Sequence, residues 1–140
     1  MVDDWQPACK LEALHARANL LRAIRHFFSV RGVLEVETPL LSQCSGTDPQ
    51  LAFFTSEYNL VPHRQTLFLQ TSPEFAMKRL LAAGSGSIFQ ICKAFRNGEL
   101  GRYHNPEFTL LEWYRVDFSL TDLMNEIDQL FTFLFDGNKA

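Results

Sequence analysis

The stretch FRNGELGRYHNPEFTLLEWYR, residues 95–115, places ionisable side chains among aromatic residues around one short turn. Its second part, EFTLLEWYR, and the segment SIFQICKAFR, residues 87–96, both have the composition of strands. A polar loop that contains glycine and ends at Pro106 separates them. We therefore predict an antiparallel hairpin with a long, charged loop. The ionisable residues concerned are Arg96, Glu99, Arg102, His104, Glu107 and Glu112.

The side-chain period of a strand assigns the residues of the second strand to two faces. One face carries Phe108, Leu110, Glu112 and Tyr114, and the other carries Thr109, Leu111 and Trp113, which we predict to be core. A carboxylate among aromatic side chains is costly to bury unpaired, so Glu112 should have a cationic partner from the protein or from a ligand. Arg96, in the row of Ala94 and Cys92, could pair with Glu112 or bind an anion. The residue pattern leaves both interpretations open.

The N-terminal part of the chain predicts a helix followed by a strand. Apolar residues recur at helical spacing from Leu11 to Phe28, and Gly32 can adopt the left-handed conformation that ends a helix. VLEVET, residues 33–38, then alternates as a half-buried strand does, and Pro39 ends its hydrogen bonding.

The middle of the chain combines a loop, short strands and a short helix. SQCSGTDPQ predicts the loop, and strand-like pieces lie around Phe53 and Phe54, at 58–61 and at 67–70. TSPEFAMKRLLAAG, residues 71–84, predicts a helix with Thr71 or Ser72 as N-cap, Pro73 and Glu74 in its first turn and Gly84 at its end. Capping alone explains these residue types, but Glu74 would also offer a carboxylate to a cationic ligand.

A last helix is predicted after Ser119, because Ser119 and Asp122 have the spacing of a capping box. Its predicted apolar face consists of Leu120, Leu123, Met124, Ile127, Leu130, Phe131 and Leu134, and Phe133 and Phe135 add apolar surface beyond that face. Helices and mostly antiparallel strands together predict an α+β protein.

Composition fits one globular domain over residues 1–140, with 46% hydrophobic and 13% aromatic residues to form a core. The formal charge of −3 argues against a broad basic surface for nucleic acid. The N-terminus lacks a signal-peptide pattern and no apolar stretch reaches the roughly 18 residues of a membrane helix, so we expect a cytoplasmic protein. Cys9, Cys44 and Cys92 fit neither a disulfide framework nor a metal site.

Three segments resemble a known family. RGVLEVETPLL, residues 31–41, resembles motif 1 of the class II aminoacyl-tRNA synthetases, and residues 95–115 resemble motif 2 of their lysine, aspartate and asparagine subgroup. QTSPEFAMKRLL, residues 70–81, is similar to the same subgroup, and GRYHNPEFTLLEWYR to the lysyl-tRNA synthetase paralogues that modify elongation factor P. The resemblance implies the class II catalytic-domain fold, an antiparallel sheet flanked by helices, which we expect to be incomplete because motif 3 does not occur before Ala140.

The resemblance also implies an activity and a set of site residues. The activity is ATP-dependent activation of lysine or β-lysine as an aminoacyl-adenylate, with transfer to a lysine of elongation factor P. Arg96 would be the catalytic residue at the α-phosphate, and Phe108 would stack on adenine. The implied ATP-binding residues are Arg96, Asn97, Gly98, Glu99, His104, Asn105 and Phe108, and the implied substrate-binding residues are Ser72, Pro73, Glu74, Glu112 and Tyr114.

The chain departs from the family pattern in motif 2. The family places a glutamate two residues after the motif 2 arginine, where this chain has Gly98 and then Glu99. Either Glu99 reaches the same point through a shifted loop, which we favour, or the contact is absent.

The resemblance has further implications for cofactors and partners. Mg²⁺ is expected with ATP, but we identify no metal ligand in the chain. A homodimer through the motif 1 region is expected, with Pro39 near the interface. Recognition of tRNA is not expected, because no anticodon-binding domain precedes the motif 1 helix. Two alternatives are a fragment of a lysyl-tRNA synthetase and a truncated, non-catalytic synthetase-like binding domain.

Overall fold

The computed structural model describes residues 5–135, and these form an α+β structure as predicted. In chain order the elements are α1 (Leu11–Ser29), β1 (Leu34–Glu35), β2 (Leu41–Ser42), β3 (Thr55–Leu60), β4 (His63–Leu69), α2 (Glu74–Ala82), β5 (Ile88–Phe95), β6 (Glu107–Tyr114) and α3 (Leu120–Phe135). No helix within this described range has the length and apolar composition needed to cross a bilayer.

The chain divides into two compact units. The first comprises Met1–Gly32 and Asp117–Ala140, of which residues 5–32 and 117–135 are described, and the second is Val33–Val116. The first unit contains α1 and α3, and the second contains α2 and every described strand. The single domain over residues 1–140 stays a prediction, and its first four and last five residues lie outside the described part.

Aromatic packing between α1 and α3 holds the first unit together. Phe27 and Phe28 are fully buried, and their rings meet edge to face with centroids 5.2 Å apart. Phe133 of α3 approaches Phe27 to 5.7 Å, and the guanidinium of Arg31 lies over the Phe27 ring at 3.5 Å. Phe27 is therefore the residue on which both helices converge.

The helix predictions need correction in their ends and faces. α1 ends at Ser29, three residues before the predicted stop, although Gly32 does adopt the left-handed conformation with φ +69° and donates to the Ser29 carbonyl. Leu11 and Leu14 are exposed, as are Leu120, Met124 and Phe131 of α3. Burial in α3 falls on Leu130 and Leu134, as predicted, and on Glu126, which was not predicted. Helical periodicity identified this face only in part, because α3 is apolar on more than one side.

Two three-stranded sheets form the second unit, in the orders β1-β5-β6 and β2-β4-β3. β5 and β6 pair antiparallel from Ile88 opposite Tyr114 to Phe95 opposite Glu107, which confirms the predicted hairpin. β1 lies parallel to β5 and is shorter than predicted, although Val36 still donates its N–H to the Phe89 carbonyl.

The strands between residues 53 and 70 have other bounds than those predicted. The pieces predicted within residues 53–70 form one hairpin, β3 and β4, and Phe53 and Phe54 lie outside both strands. The strands of this hairpin are largely exposed and polar, so the apolar pattern located only part of each strand. Thr109, Leu111 and Trp113 are half-buried rather than core, because β6 is an outer strand of the described sheet.

α2 begins at Glu74 with Pro73 in the N-cap position, so neither Thr71 nor Ser72 is the cap residue itself. The hydroxyl of Ser72 nevertheless accepts the Glu74 N–H at 3.1 Å, which supplies the hydrogen bond expected of a cap. Gly84 follows the helix with φ +86°, as predicted for its end.

The capping box of α3 generates a stability prediction. Ser119 Oγ accepts the Asp122 N–H, and the Asp122 carboxylate accepts both the N–H and the hydroxyl of Ser119, which lowers the pKa of Asp122. Replacing Ser119 with alanine should reduce the free energy of unfolding by about 1 kcal/mol at pH 7. Urea unfolding measures this loss, with the exposed Ser56→Ala in β3 as control.

The same substitution should show a pH dependence with a defined sign. The folded pKa of Asp122 is lowered, so its contribution is present above the unfolded pKa, about 4, and is lost as the pH falls through the folded value. The difference between wild type and Ser119→Ala should therefore shrink at pH 3. An undiminished difference at that pH would contradict the capping contribution of the carboxylate.

Candidate functional site

One face of the β5–β6 hairpin carries the residues that the sequence analysis singled out. Residues directly opposite one another on antiparallel strands project to the same face. The register pairs are Tyr114 with Ile88, Glu112 with Gln90, Leu110 with Cys92 and Phe108 with Ala94. Arg96 continues this row beyond β5, and its N–H donates to the Pro106 carbonyl at 2.9 Å. We call these residues the hairpin face.

At one end of the hairpin face two hydroxyl groups hold the carboxylate of Glu112. Ser72 Oγ donates to Oε2 at 2.7 Å, and Tyr114 Oη donates to Oε1 at 2.5 Å. Ser72 also accepts the Glu74 N–H, so the start of α2 is fastened to the sheet. Both donors are neutral, so neither is the cationic partner that the sequence predicts for Glu112.

Ser72, Glu74, Glu112 and Tyr114 form what we call the carboxylate cluster. Burial raises the pKa of Tyr114 well above its ordinary value, and the hydrogen bond to Glu112 and the negative charges of Glu112 and Glu74 raise it further. Tyr114 therefore remains a neutral donor. Glu74 pairs with Lys78 one turn along α2 and keeps exposed surface. The predicted residue Pro73 is buried beneath this cluster at the start of the helix.

Arg96 lies at the opposite end of the hairpin face. Its guanidinium carbon is 5.0 Å from the centre of the Phe108 ring, and its Nη1 is 3.9 Å from Oε2 of Glu99. Its Nε is buried without a hydrogen-bond partner among the described residues. Six residues separate Arg96 from the rung of Glu112, which is about 20 Å along a strand. Pairing of Arg96 with Glu112 across the hairpin is therefore wrong, and anion binding by Arg96 stays a prediction.

The loop between the strands carries the remaining predicted ATP-binding residues. Asn97 bonds the segment before β3, donating its N–H to the Ala52 carbonyl at 2.9 Å and its side-chain amide to the Phe53 carbonyl. Gly98 has φ +81°. His104 and Asn105 are exposed farther along the loop, where His104 and Gly101 form a backbone bridge.

A cavity of about 690 Å³ borders the carboxylate cluster at Ser72. It lies among loop 42–47, the end of β4 and the face of α2 that presents Phe75, Ala76 and Arg79. A Cβ on Gly46 would come within 3.3 Å of the Phe53 ring, so the loop approaches that ring closely. The sequence analysis missed this cavity, although the small polar residues of SQCSGTDPQ are a usable signal for a loop that approaches a ligand.

The positions of the histidine, cysteine, aspartate and glutamate side chains bear on metal binding. Within residues 5–135 no group of three or more histidine, cysteine, aspartate or glutamate side chains could hold an ion. No residue of the described range is therefore assigned to Mg²⁺. Cys9, Cys44 and Cys92 are free thiols, and burial raises the pKa of Cys92.

The sequence matches the family model of the tRNA synthetases class II (D, K and N) over residues 5–139. The chain belongs to this class II synthetase family. The matched range includes the segments that resemble motifs 1 and 2, and with them the whole β5–β6 hairpin.

Several curated relatives of this class II synthetase chain share one name. This chain is 53% identical over 142 residues to "Elongation factor P--(R)-beta-lysine ligase" of Photobacterium profundum, and the match covers 100% of this chain and 44% of the relative. It is 57% identical over 133 residues to the protein of that name in Vibrio atlanticus, covering 93% and 41%. The chain thus spans less than half the length of the curated relatives it matches.

The raised pKa of Tyr114 can be measured directly. The difference in ultraviolet absorbance between wild type and Tyr114→Phe should show no phenolate from Tyr114 at pH 10.5, because burial and the hydrogen bond to Glu112 favour the neutral phenol. In a Glu112→Gln background the same difference should show ionisation at lower pH than in wild type. Half-ionisation of Tyr114 near pH 10 in the wild type would contradict the described cluster.

Proposed function

We propose that this class II synthetase family member activates lysine or β-lysine with ATP and transfers it to a lysine of elongation factor P. The observation that carries the proposal is the hairpin face, which has a carboxylate held by two hydroxyl groups at one end and an arginine beside an aromatic ring at the other. The name of the relatives supports the choice of acceptor. Because the chain covers less than half of those relatives, the activity of the whole protein is part of the proposal.

The carboxylate cluster suits the amines of such a substrate. Each oxygen of an ionised carboxylate can accept more than one hydrogen bond, so Glu112 retains acceptor capacity after Ser72 and Tyr114 have donated. Glu74 adds a second negative charge nearby, since it acts electrostatically on Tyr114. An ammonium group bound here would supply the positive charge that the half-buried Glu112 lacks.

The other end of the hairpin face suits a nucleotide. The Arg96 fork offers donors to the α-phosphate, and its buried Nε is without a hydrogen-bond partner in residues 5–135. Phe108 offers a ring for stacking on adenine. We assign supporting contacts with ATP to Asn97, Gly98, Glu99, His104 and Asn105. Phe108 lies four residues from Glu112 on the same face, about 13 Å, so the two ligands would meet between them.

The chemistry has two displacement steps. The substrate carboxylate attacks the α-phosphorus of ATP and pyrophosphate leaves; a lysine amine of elongation factor P then attacks the acyl carbon of the adenylate and AMP leaves. Neither step forms a covalent bond to the protein. The residues of this chain orient the reactants and place positive charge where phosphate charge develops, and one such donor is typically worth about 2.7 to 4 kcal/mol.

We further propose a cytoplasmic homodimer that does not act on tRNA. The exposed leucines of the motif 1 region, Leu34 and Leu41, support burial against a second copy. The net charge of −3 supports an acceptor other than nucleic acid. Mg²⁺ is expected with ATP from the resemblance, but no residue of the described range is assigned to it.

Arg96→Ala tests the nucleotide site. The variant should reduce ATP-dependent pyrophosphate exchange, measured with lysine and with β-lysine, by about 10² to 10³, because it removes the charge donor at the α-phosphate. ATP binding by the chain, measured calorimetrically at fixed ionic strength, should weaken in parallel. The exposed Arg64→Ala in β4 carries the same change of charge and should leave both unchanged.

Equal ATP affinity in wild type and Arg96→Ala would reject the assignment of Arg96. Mass spectrometry of elongation factor P and charging of tRNA, performed on the same protein, then separate the proposed acceptor from a tRNA. Charging of tRNA without modification of elongation factor P would contradict the proposed acceptor.

Glu99→Gln tests whether Glu99 provides the motif 2 carboxylate. Its Oε2 lies 3.9 Å from Arg96 Nη1, which supports a position at the nucleotide. Removing the charge should weaken ATP binding by about tenfold or more, the value of a charged hydrogen bond. The exposed Glu57→Gln in β3 is the control. Unchanged or tighter ATP binding in Glu99→Gln would mean that this contact is absent.

A further inference from the structure

Gln90 is a buried polar residue of the hairpin face to which neither the motifs nor the relatives give a role. Its side chain is only 2% exposed. It lies directly opposite Glu112 in the register of β5 and β6, so the Cβ atoms of the two residues are roughly 5 Å apart on the same face. Gln90 is therefore the cross-strand neighbour of the carboxylate assigned to the amine.

A second contact fixes the orientation of this amide. Thr38 Oγ1 donates to Gln90 Oε1 at 3.0 Å, so the amide oxygen is the acceptor of that bond and the amide nitrogen is left to donate elsewhere. Buried amide donors require acceptors, and Glu112 is the anionic acceptor on the same rung. The bond from Thr38 thus leaves the amide nitrogen of Gln90 as the end that can donate on the hairpin face.

We propose that Gln90 is a positioning and specificity residue of the amine site: it supports Glu112 with a neutral donor and limits this rung to a single negative charge. The inference rests on the proposed function, since it presumes that Glu112 binds an ammonium group. A glutamate at this position would place two carboxylates on one rung, and two such groups share a proton over an accessible pH range.

Other titratable groups around Glu112 define the background for a pH experiment. Tyr114 contacts it from β6, Glu74 approaches from α2 where it pairs with Lys78, and Cys92 interacts with its charge from β5. Substitutions of Gln90 leave all of these residues in place. A pH dependence that appears only in a Gln90 variant therefore belongs to the new group.

The experiment compares lysine and norleucine binding by the full chain at pH 6, 7 and 8, with wild type, Gln90→Glu, Gln90→Met and Thr38→Val. Gln90→Met should weaken lysine binding by about tenfold without changing its pH profile, because the donor beside Glu112 is lost. Thr38→Val should cause a smaller loss of the same kind. Norleucine, which lacks the side-chain ammonium, should respond less to both variants.

Gln90→Glu should instead alter the pH profile. The ratio of its lysine affinity to that of wild type should rise with pH, by up to about tenfold per unit, because a proton shared by the two carboxylates is displaced by the ammonium. Gln65→Glu, an exposed change of the same charge in β4, should give a ratio that does not vary with pH.

The outcomes separate the two proposals. Wild type that binds lysine no better than norleucine overturns the proposed amine site and this inference with it. Wild type that prefers lysine, with Gln90→Met unchanged from it, overturns the role of Gln90 alone. Thermal unfolding reports whether Gln90→Glu folds. If it does not, Gln90→Met and Thr38→Val still test the role of Gln90.

Discussion

The antiparallel register of β5 and β6 is the constraint on which the candidate site depends. A slip of one residue would transfer Glu112 and Phe108 to the opposite face, because side chains alternate along a strand. Bonds at both ends hold the register: Arg96 donates its N–H to the Pro106 carbonyl, and Val116 donates to the Ser87 hydroxyl. These bonds help to keep the acidic and aromatic residues on their shared face.

Electrostatics along the hairpin face follow from the same register. Placing Arg96 about 20 Å from Glu112 prevents the two from neutralising each other. Glu112 is held by neutral hydroxyl groups, and Arg96 has a distant, partly exposed carboxylate and an aromatic ring as neighbours. Each end keeps a charge that a ligand of opposite sign would satisfy. A face built this way favours a molecule with a cationic end and a phosphate-bearing end.

Features set by local pattern could be predicted from the sequence, and those set by distant contacts could not. Alternation in EFTLLEWYR predicted the row of Phe108 and Glu112, and a spacing of three residues predicted the capping box of Ser119 and Asp122. The polar hairpin of β3 and β4 was predicted only in the pieces 58–61 and 67–70, because its remaining residues have little apolar signal. Gln90 depends on Thr38, 52 residues earlier in the chain, so no window around β5 could reveal its environment. Hydrogen bonds between residues far apart in the sequence leave no periodic pattern in it.

The unusual order of Gly98 and Glu99 has a physical account in the backbone. Gly98 has φ +81°, a conformation in which any residue with a Cβ is strained by roughly 1 to 2 kcal/mol. Open space surrounds the position, since a Cβ there would meet no atom within 4 Å, so conformation rather than crowding disfavours a glutamate. With the loop in this conformation, a carboxylate is better accommodated at the next residue. Glu99 occupies that residue, with its Oε2 3.9 Å from Arg96 Nη1, a position that is consistent with the proposed displacement of the motif 2 carboxylate by one residue.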